Sequence, residues 1–322
     1  MLIDFSWVLI GISLIVWSAD RLTDGAAAIA NNFGVPSFIV GLTIVAVGSS
    51  APELFISTIA AISHNSGLAI GNALGSNIVN TALVLPIAAL ISPIVVSSKI
   101  LRREMPFLLV ISVVTSYFLF DLELDRFEGI ILVITLIIYV LWLIYSGFQH
   151  RHADKMINDM IEELPESMST SKAIFWVILG LGLLLFSSDL LVGGAVNIAQ
   201  KMGVSSTIIG LTIIAIGTSL PELAASIAAA LKKEHDMVLG NIIGSNIFNL
   251  LGVLGIAGTI SPIKNLDPDI LHRDIPMLIL VTFATYLLAQ GYGRRPHFGI
   301  RESIILLVMY LGYSYIIFQK FN

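Results

Sequence analysis

The chain contains no cysteine, which excludes disulfides, thiolate metal sites and thiol redox chemistry together. Charge is scarce too: Asp, Glu, Lys and Arg make up 12% of 322 residues, against about a quarter in an ordinary soluble domain. The six histidines all fall near span ends or in loops, so no imidazole stands within the apolar sequence to take a softer metal. Neither His-Glu-x-x-His nor Gly-x-Ser-x-Gly occurs, so an intramembrane enzyme working through acid and base has no motif to rest on. No basic segment precedes the first apolar stretch, the earliest Lys or Arg being Arg21, so a cleaved signal is not expected and the first helix should be retained. Nothing suggests nucleic acid, an obligate protein partner or a bound cofactor.

What fills the sequence instead is apolar: 56% of residues are hydrophobic. Apolar stretches of about 20 residues recur along the chain, the length a helix needs to cross the ~30 Å hydrocarbon core at 1.5 Å rise per residue. They predict an all-α integral membrane protein with ten transmembrane helices, near 5–31, 36–62, 68–91, 104–120, 129–147, 173–200, 205–231, 237–260, 274–290 and 301–318. The surrounding partner is the lipid bilayer. A polar stretch of both signs around Pro165 separates the fifth span from the sixth.

The two halves are copies. Val35 to Ile94 aligns with Val204 to Ile263 without a gap at an offset of 169, with 31 of 60 positions identical, the mark of an internal repeat. This divides the chain into a five-helix repeat over 1–147, a linker over 148–172 and a second five-helix repeat over 173–322. Because five is odd, the second copy enters the membrane from the opposite face, the inverted-repeat plan of alternating-access transporters. Eleven basic residues fall in loops on the linker's side and five on the side of the termini. The positive-inside rule therefore predicts a multi-pass protein of the cell (inner or plasma) membrane with a cytoplasmic linker and both termini outside.

Glu53 lies near the middle of the second predicted span and Glu222 near the middle of the seventh, in the matched segments Gly48-Ser49-Ser50-Ala51-Pro52-Glu53 and Gly217-Thr218-Ser219-Leu220-Pro221-Glu222. An acidic residue at a helix centre costs ~2.5–3.5 kcal/mol to insert, so such residues face a cavity or partner and mark ion paths. Pro52 and Pro221 lack the N–H that would bond Gly48 and Gly217 and should break the helices just before the glutamates. The carbonyls freed around Ala46 to Ser49 and Ala215 to Thr218 then need an ion, water or side chain. Gly71-Asn72-Ala73-Leu74-Gly75-Ser76-Asn77-Ile78-Val79-Asn80 and its copy at 240–249 add amides and hydroxyls. Asn72, Ser76 and Asn80 share a helix face, and Gly71 and Gly75 permit close approach of a second backbone. Interhelical hydrogen bonding is the competing role for these polar groups. Oxygen ligands alone suit a hard cation, and two carboxylates balance one Ca²⁺ with its six to eight oxygens. Asp20 and Asp189 occupy matched positions in the first and sixth spans, where a structural or gating role is expected rather than ligation.

On these motifs the sequence resembles the sodium/calcium exchanger branch of the cation/calcium antiporter family, of prokaryotic type, along nearly the whole chain. The resemblance implies exchange of transported Ca²⁺ for Na⁺ by alternating access, two long helices sliding over a core of eight. It also implies a metal site of Glu53 and Glu222, the carbonyls of Ser49, Thr218, Ala46 and Ala215, the hydroxyls of Ser50, Ser219, Ser76 and Ser245, and the amides of Asn80 and Asn249. Some prokaryotic relatives carry an aspartate where Asn249 stands, so the site here has one titratable group fewer. Proton-coupled export of Ca²⁺ or another cation is the alternative within the same class, although the calcium/proton exchangers favour a different motif. A passive channel is the alternative outside it.

Overall fold

The computed structural model describes residues 2–63, 66–158, 168–203, 215–291 and 296–320. Its helices, in chain order, are α1 (Leu2–Phe33), α2 (Ser37–Ser49), α3 (Ala51–Ile62), α4 (Gly67–Ile91), α5 (Met105–Phe118), α6 (Arg126–Asn158), α7 (Thr170–Lys201), α8 (Leu220–Leu231), α9 (His235–Ile260), α10 (Ile275–Ala289) and α11 (Ile300–Lys320). The fold is an all-α membrane bundle. Among the described residues seven helices are long and apolar enough to cross a bilayer, or eight if the bent pair α2–α3 counts as one span. That is fewer than the ten expected. α5 has only 14 residues after a charged turn at Ile100–Glu104, and α8 has 12. The expected seventh span begins at 205–214, outside the described residues. The expected linker starts within a helix, since α6 runs on to Asn158.

Burial sorts the helices. The most apolar window of α9 is 94% buried and that of α4 72%, whereas α11 reaches only 11%, so α4 and α9 form the centre and α11 faces lipid. Two short pairings tie the ends of the bundle. Ile94–Val95 (β1) pairs antiparallel with His297–Phe298 (β2) at one end, and Leu124 bridges Ile263 at the other. Ile94 and Ile263 are repeat equivalents, yet α5 or α10 lies between the two ends.

Helices α1 and α7 pack through glycines on the flank. A Cβ at Gly180 would lie 2.9 Å from the Leu22 amide nitrogen, and one at Gly25 2.8 Å from the Ala173 carbonyl oxygen, so only glycine permits this backbone approach. Arg21 sits near the rings of Trp17 and Trp176, with centroids 5.9 and 5.4 Å away, a cation–π arrangement. From the end of α8, Lys232 reaches α1, its Nζ lying 2.7 Å from Asp20 Oδ1 and 2.6 Å from Asp24 Oδ1. Asp20 is thus held in an ion-paired contact between helices, while its counterpart Asp189 is exposed.

Candidate cation site

The polypeptide breaks where the prolines predict, by a slightly different route. Ser50 (φ −84°, ψ 10°) and Ser219 (φ −92°, ψ 8°) leave the helical conformation, and Pro52 and Pro221 then stand in the first turns of new helices, where a missing N–H costs nothing. The bend between α2 and α3 is 46°. Each glutamate consequently occupies the first turn of a helix, whose dipole favours negative charge there. The freed carbonyls are partly used: Ala46 O accepts the Ser50 amide at 3.0 Å and the Ser49 hydroxyl at 3.3 Å, and Gly217 O accepts the Ser188 hydroxyl at 3.1 Å. A carbonyl oxygen has a second lone pair, so these contacts leave it able to bind a cation.

Glu53 and Glu222 are fully buried. Ser50 donates to Glu222 Oε1 at 2.8 Å, linking the first copy's break to the second copy's carboxylate, and Ser76 lies 3.5 Å from Glu53 Oε1. Among the described residues the other carboxylate oxygen of each glutamate has no hydrogen-bond partner, nor do the amides of Asn80 and Asn249 or the hydroxyls of Ser219 and Ser245, all of them buried. Buried polar atoms are nearly always paired, so this cluster of orphaned oxygens is the structure's clearest mark of a ligand site. Among the described residues no third carboxylate or imidazole joins the two glutamates in a metal-holding group; the remaining oxygens are neutral. Thr218 is half-buried, Ser49 and Ala46 are buried, and Ala215 starts a short helical piece at Ala215–Gly217.

Other motif residues hold the frame. Asn72 Nδ2 donates to Glu53 O at 3.0 Å and Ser57 Oγ at 2.9 Å, and Asn241 Nδ2 repeats this with Glu222 O at 3.2 Å and Ser226 Oγ at 3.0 Å. Each asparagine pins the first turn that carries a glutamate. Asn241 Oδ1 also accepts the Ser49 hydroxyl at 3.3 Å, crossing between copies. At the centre, Asn77 donates to Asn246 O at 3.1 Å and Asn246 to Thr81 Oγ1 at 2.7 Å. Asn80 and Asn249 each open a π-helical turn, Asn80–Val84 and Asn249–Val253, an irregularity frequent at functional sites. The residues that would make the close approach expected at Gly71 and Gly75, the equivalents of their copies' neighbours, lie at 207–211, outside the described residues; among the described residues a Cβ at either glycine would meet nothing within 4 Å.

A multi-pass bundle of this kind, with two buried carboxylates amid neutral oxygens, defines a membrane transporter for hard cations. The chain belongs to the sodium/calcium exchanger protein family, whose model matches residues 3–145 and 172–319, and is a cation/calcium antiporter. It is 45% identical over 320 residues to a putative antiporter CaxA of Alkalimonas amylolytica, covering 99% of this chain and all of the relative. It is 39% identical to the inner membrane protein YrbG of Escherichia coli, over 93% of each chain. A solved structure of the sodium-calcium exchanger NCX_Mj, soaked with Na⁺ and Ca²⁺, superposes with a TM-score of 0.82 at 30% identity over 97% of each chain.

Proposed function

We propose that the protein exchanges Ca²⁺ for Na⁺ across the cell membrane by alternating access through one midplane site. The observation that carries this is the cluster of fully buried, unpartnered oxygens around Glu53 and Glu222. In this site the two carboxylates balance a Ca²⁺ ion. Asn80 and Asn249 supply amide oxygens, Ser50, Ser219, Ser76 and Ser245 hydroxyls, and Ala46, Ala215, Ser49 and Thr218 carbonyls. Na⁺ uses the same oxygens at lower charge, so the two ions exclude each other, and an unneutralised pair of buried carboxylates resists closure. Radiolabelled Ca²⁺ uptake into proteoliposomes under imposed Na⁺, H⁺ or K⁺ gradients tests the coupling. Uptake driven by a Na⁺ gradient is expected, and uptake driven by H⁺ alone would move the assignment to proton coupling.

The architecture in this proposal is ten spans in two inverted five-helix repeats. It is supported by the sequence duplication and by hydrogen bonds repeated between copies, Asn72 to Ser57 and Asn241 to Ser226. The equivalents Ile94 and Ile263 at opposite ends of the bundle support it further. Loop charge supports an orientation with both termini outside. Single cysteines replacing Ser6, Ser167 and Asn322 in the cysteine-free parent test the orientation in intact cells. An impermeant thiol reagent should modify the first and last and spare the middle one, and labelling of Ser167→Cys alone would reverse the topology.

Asn249 offers a second test. Both polar atoms of its buried amide lack a partner, so Asn249→Asp introduces a third carboxylate into the site without breaking a hydrogen bond. Protonation removes that charge as pH falls, so exchange by the variant should decline at acid pH more steeply than in the parent. Equal pH profiles at equal expression would take Asn249 out of the ligand set.

A further inference from the structure

Away from the cation site, a cavity of about 500 Å³ opens between the start of α5 and the middle of α6. Its apolar wall includes Phe107 and Val110 of α5 and Ile138 and Trp142 of α6, and its polar end carries Arg102 and Arg103. Val110, Ile138 and Trp142 are exposed on the bundle's lipid-facing flank. Arg103 is already engaged. Its Nε donates to Glu104 Oε1 at 2.7 Å and its guanidinium lies 4.3 Å from the Trp142 ring centroid, while Glu104 also accepts the Tyr139 hydroxyl at 2.8 Å. Arg102 is exposed and, among the described residues, pairs with no carboxylate.

The second copy builds the same device with its charge cancelled. Arg273 donates to both Asp274 and Asp269, Tyr313 donates to Asp274 at 2.9 Å, and the place of Arg102 is taken by His272. The position of Trp142 falls to Ile316 when Tyr139 and Tyr313 are matched. The shared parts, the arginine, buried acid and tyrosine, are therefore structural, and what distinguishes the first copy is a cation, unpaired among the described residues, at the mouth of an apolar groove open to lipid.

We infer that this groove binds one acidic phospholipid, its phosphate diester on Arg102 and an acyl chain along Phe107, Val110, Ile138 and Trp142. A lipid fits better than free phosphate because the wall below the arginine is hydrocarbon, which a small anion leaves uncovered. The leaflet is the one at the β1–β2 end, and the inference stands on the membrane fold without depending on which ion is exchanged.

Trp142 is the reporter. In full-length protein with Trp7, Trp17 and Trp176 replaced by phenylalanine, reconstituted in phosphatidylcholine vesicles, brominated phosphatidylglycerol should quench Trp142 with about fivefold greater apparent affinity than brominated phosphatidylcholine, the effect of one basic residue at a membrane surface. Arg102→Gln should bring the two to parity. A reporter created at the equivalent site by Ile316→Trp, with Trp142→Phe, should show no preference. Inorganic phosphate should leave the quenching unchanged. Equal quenching by both lipids in the parent, a preference that survives Arg102→Gln, or displacement by inorganic phosphate would each overturn the proposal. If the single-tryptophan protein does not fold, native mass spectrometry of the parent and Arg102→Gln decides instead: retained phosphatidylglycerol should fall severalfold in the variant, and equal retention sinks the site.

Discussion

Glutamine in place of either Glu53 or Glu222 is expected to abolish Ca²⁺ exchange while leaving the protein folded and inserted. The substitution keeps the size of the side chain and its carbonyl oxygen, so Ser50 can still donate to residue 222 as it does at 2.8 Å in the parent. It removes one of the two charges that would balance the divalent ion. Breaking a buried charge arrangement by deleting one member costs ~3–5 kcal/mol, a loss of affinity on the order of a hundredfold or more. Folding should not suffer, since a neutral amide is cheaper to bury than a carboxylate. The proposed shared site requires both substitutions to act alike, so loss through one glutamate alone would break the symmetric scheme. Both variants exchanging Ca²⁺ at near-parental rates in proteoliposomes, with monodisperse elution proving them folded, would remove the proposed function as well. Protons compete for the same carboxylates, so parental Ca²⁺ binding should weaken as pH falls.

Much of this was legible in the sequence because it is written in short range. Apolar length marks where helices run, and described helices lie at each of the ten predicted positions, although fewer are long enough to span alone. Proline before glutamate marks the two breaks. The duplication makes Asn72 and Asn241, Asn80 and Asn249 stand out as pairs. Contacts between residues distant in the chain were not legible. That Asn72 and Asn241 grip the glutamate backbones, leaving Asn80 and Asn249 without partners, depends on helix packing, since all four are asparagines in the same repeated segment. Nor does near-identity of sequence announce where symmetry fails. Ser50 donates to the opposite copy's glutamate, whereas its equivalent Ser219 has no partner among the described residues. The π-helical turns at Asn80 and Asn249 escape a periodicity of 3.6, and the Lys232 contact with Asp20 and Asp24 joins segments over 200 residues apart.

Valine at Gly240 is expected to disrupt the bundle more than any other single glycine change considered. A Cβ there would lie 2.4 Å from the Phe38 carbonyl oxygen and 3.0 Å from the Leu42 amide nitrogen, and one at Gly244 2.6 Å from the Leu42 carbonyl oxygen. Gly41 returns the contact, its Cβ falling 2.6 Å from Met237 O. Helices α2 and α9 thus touch backbone to backbone through small residues four apart, the arrangement that holds membrane helices together where hydrophobicity cannot. No side-chain rotation relieves a clash with a carbonyl, so the helices must separate. Overpacking alone costs ~1–3 kcal/mol, and parting these two also pulls Asn241 from Ser49, a contact of 3.3 Å. Gly240→Val should therefore lose most of its monodisperse protein on size exclusion and melt well below the parent. Gly244→Ala, whose single methyl would lie 2.6 Å from the Leu42 carbonyl oxygen and 2.8 Å from Ala46 Cβ, is a smaller overlap of the same kind. It should melt below the parent, though less far than Gly240→Val, and exchange more slowly, because Ala46 carries a carbonyl of the proposed site. Gly312→Val on lipid-facing α11, where a Cβ meets nothing within 4 Å, is the control and should behave as the parent. A Gly240→Val protein with parental melting temperature and exchange rate would mean that α2 and α9 do not pack this closely, and the placement of Ala46 beside the glutamates would have to be redrawn.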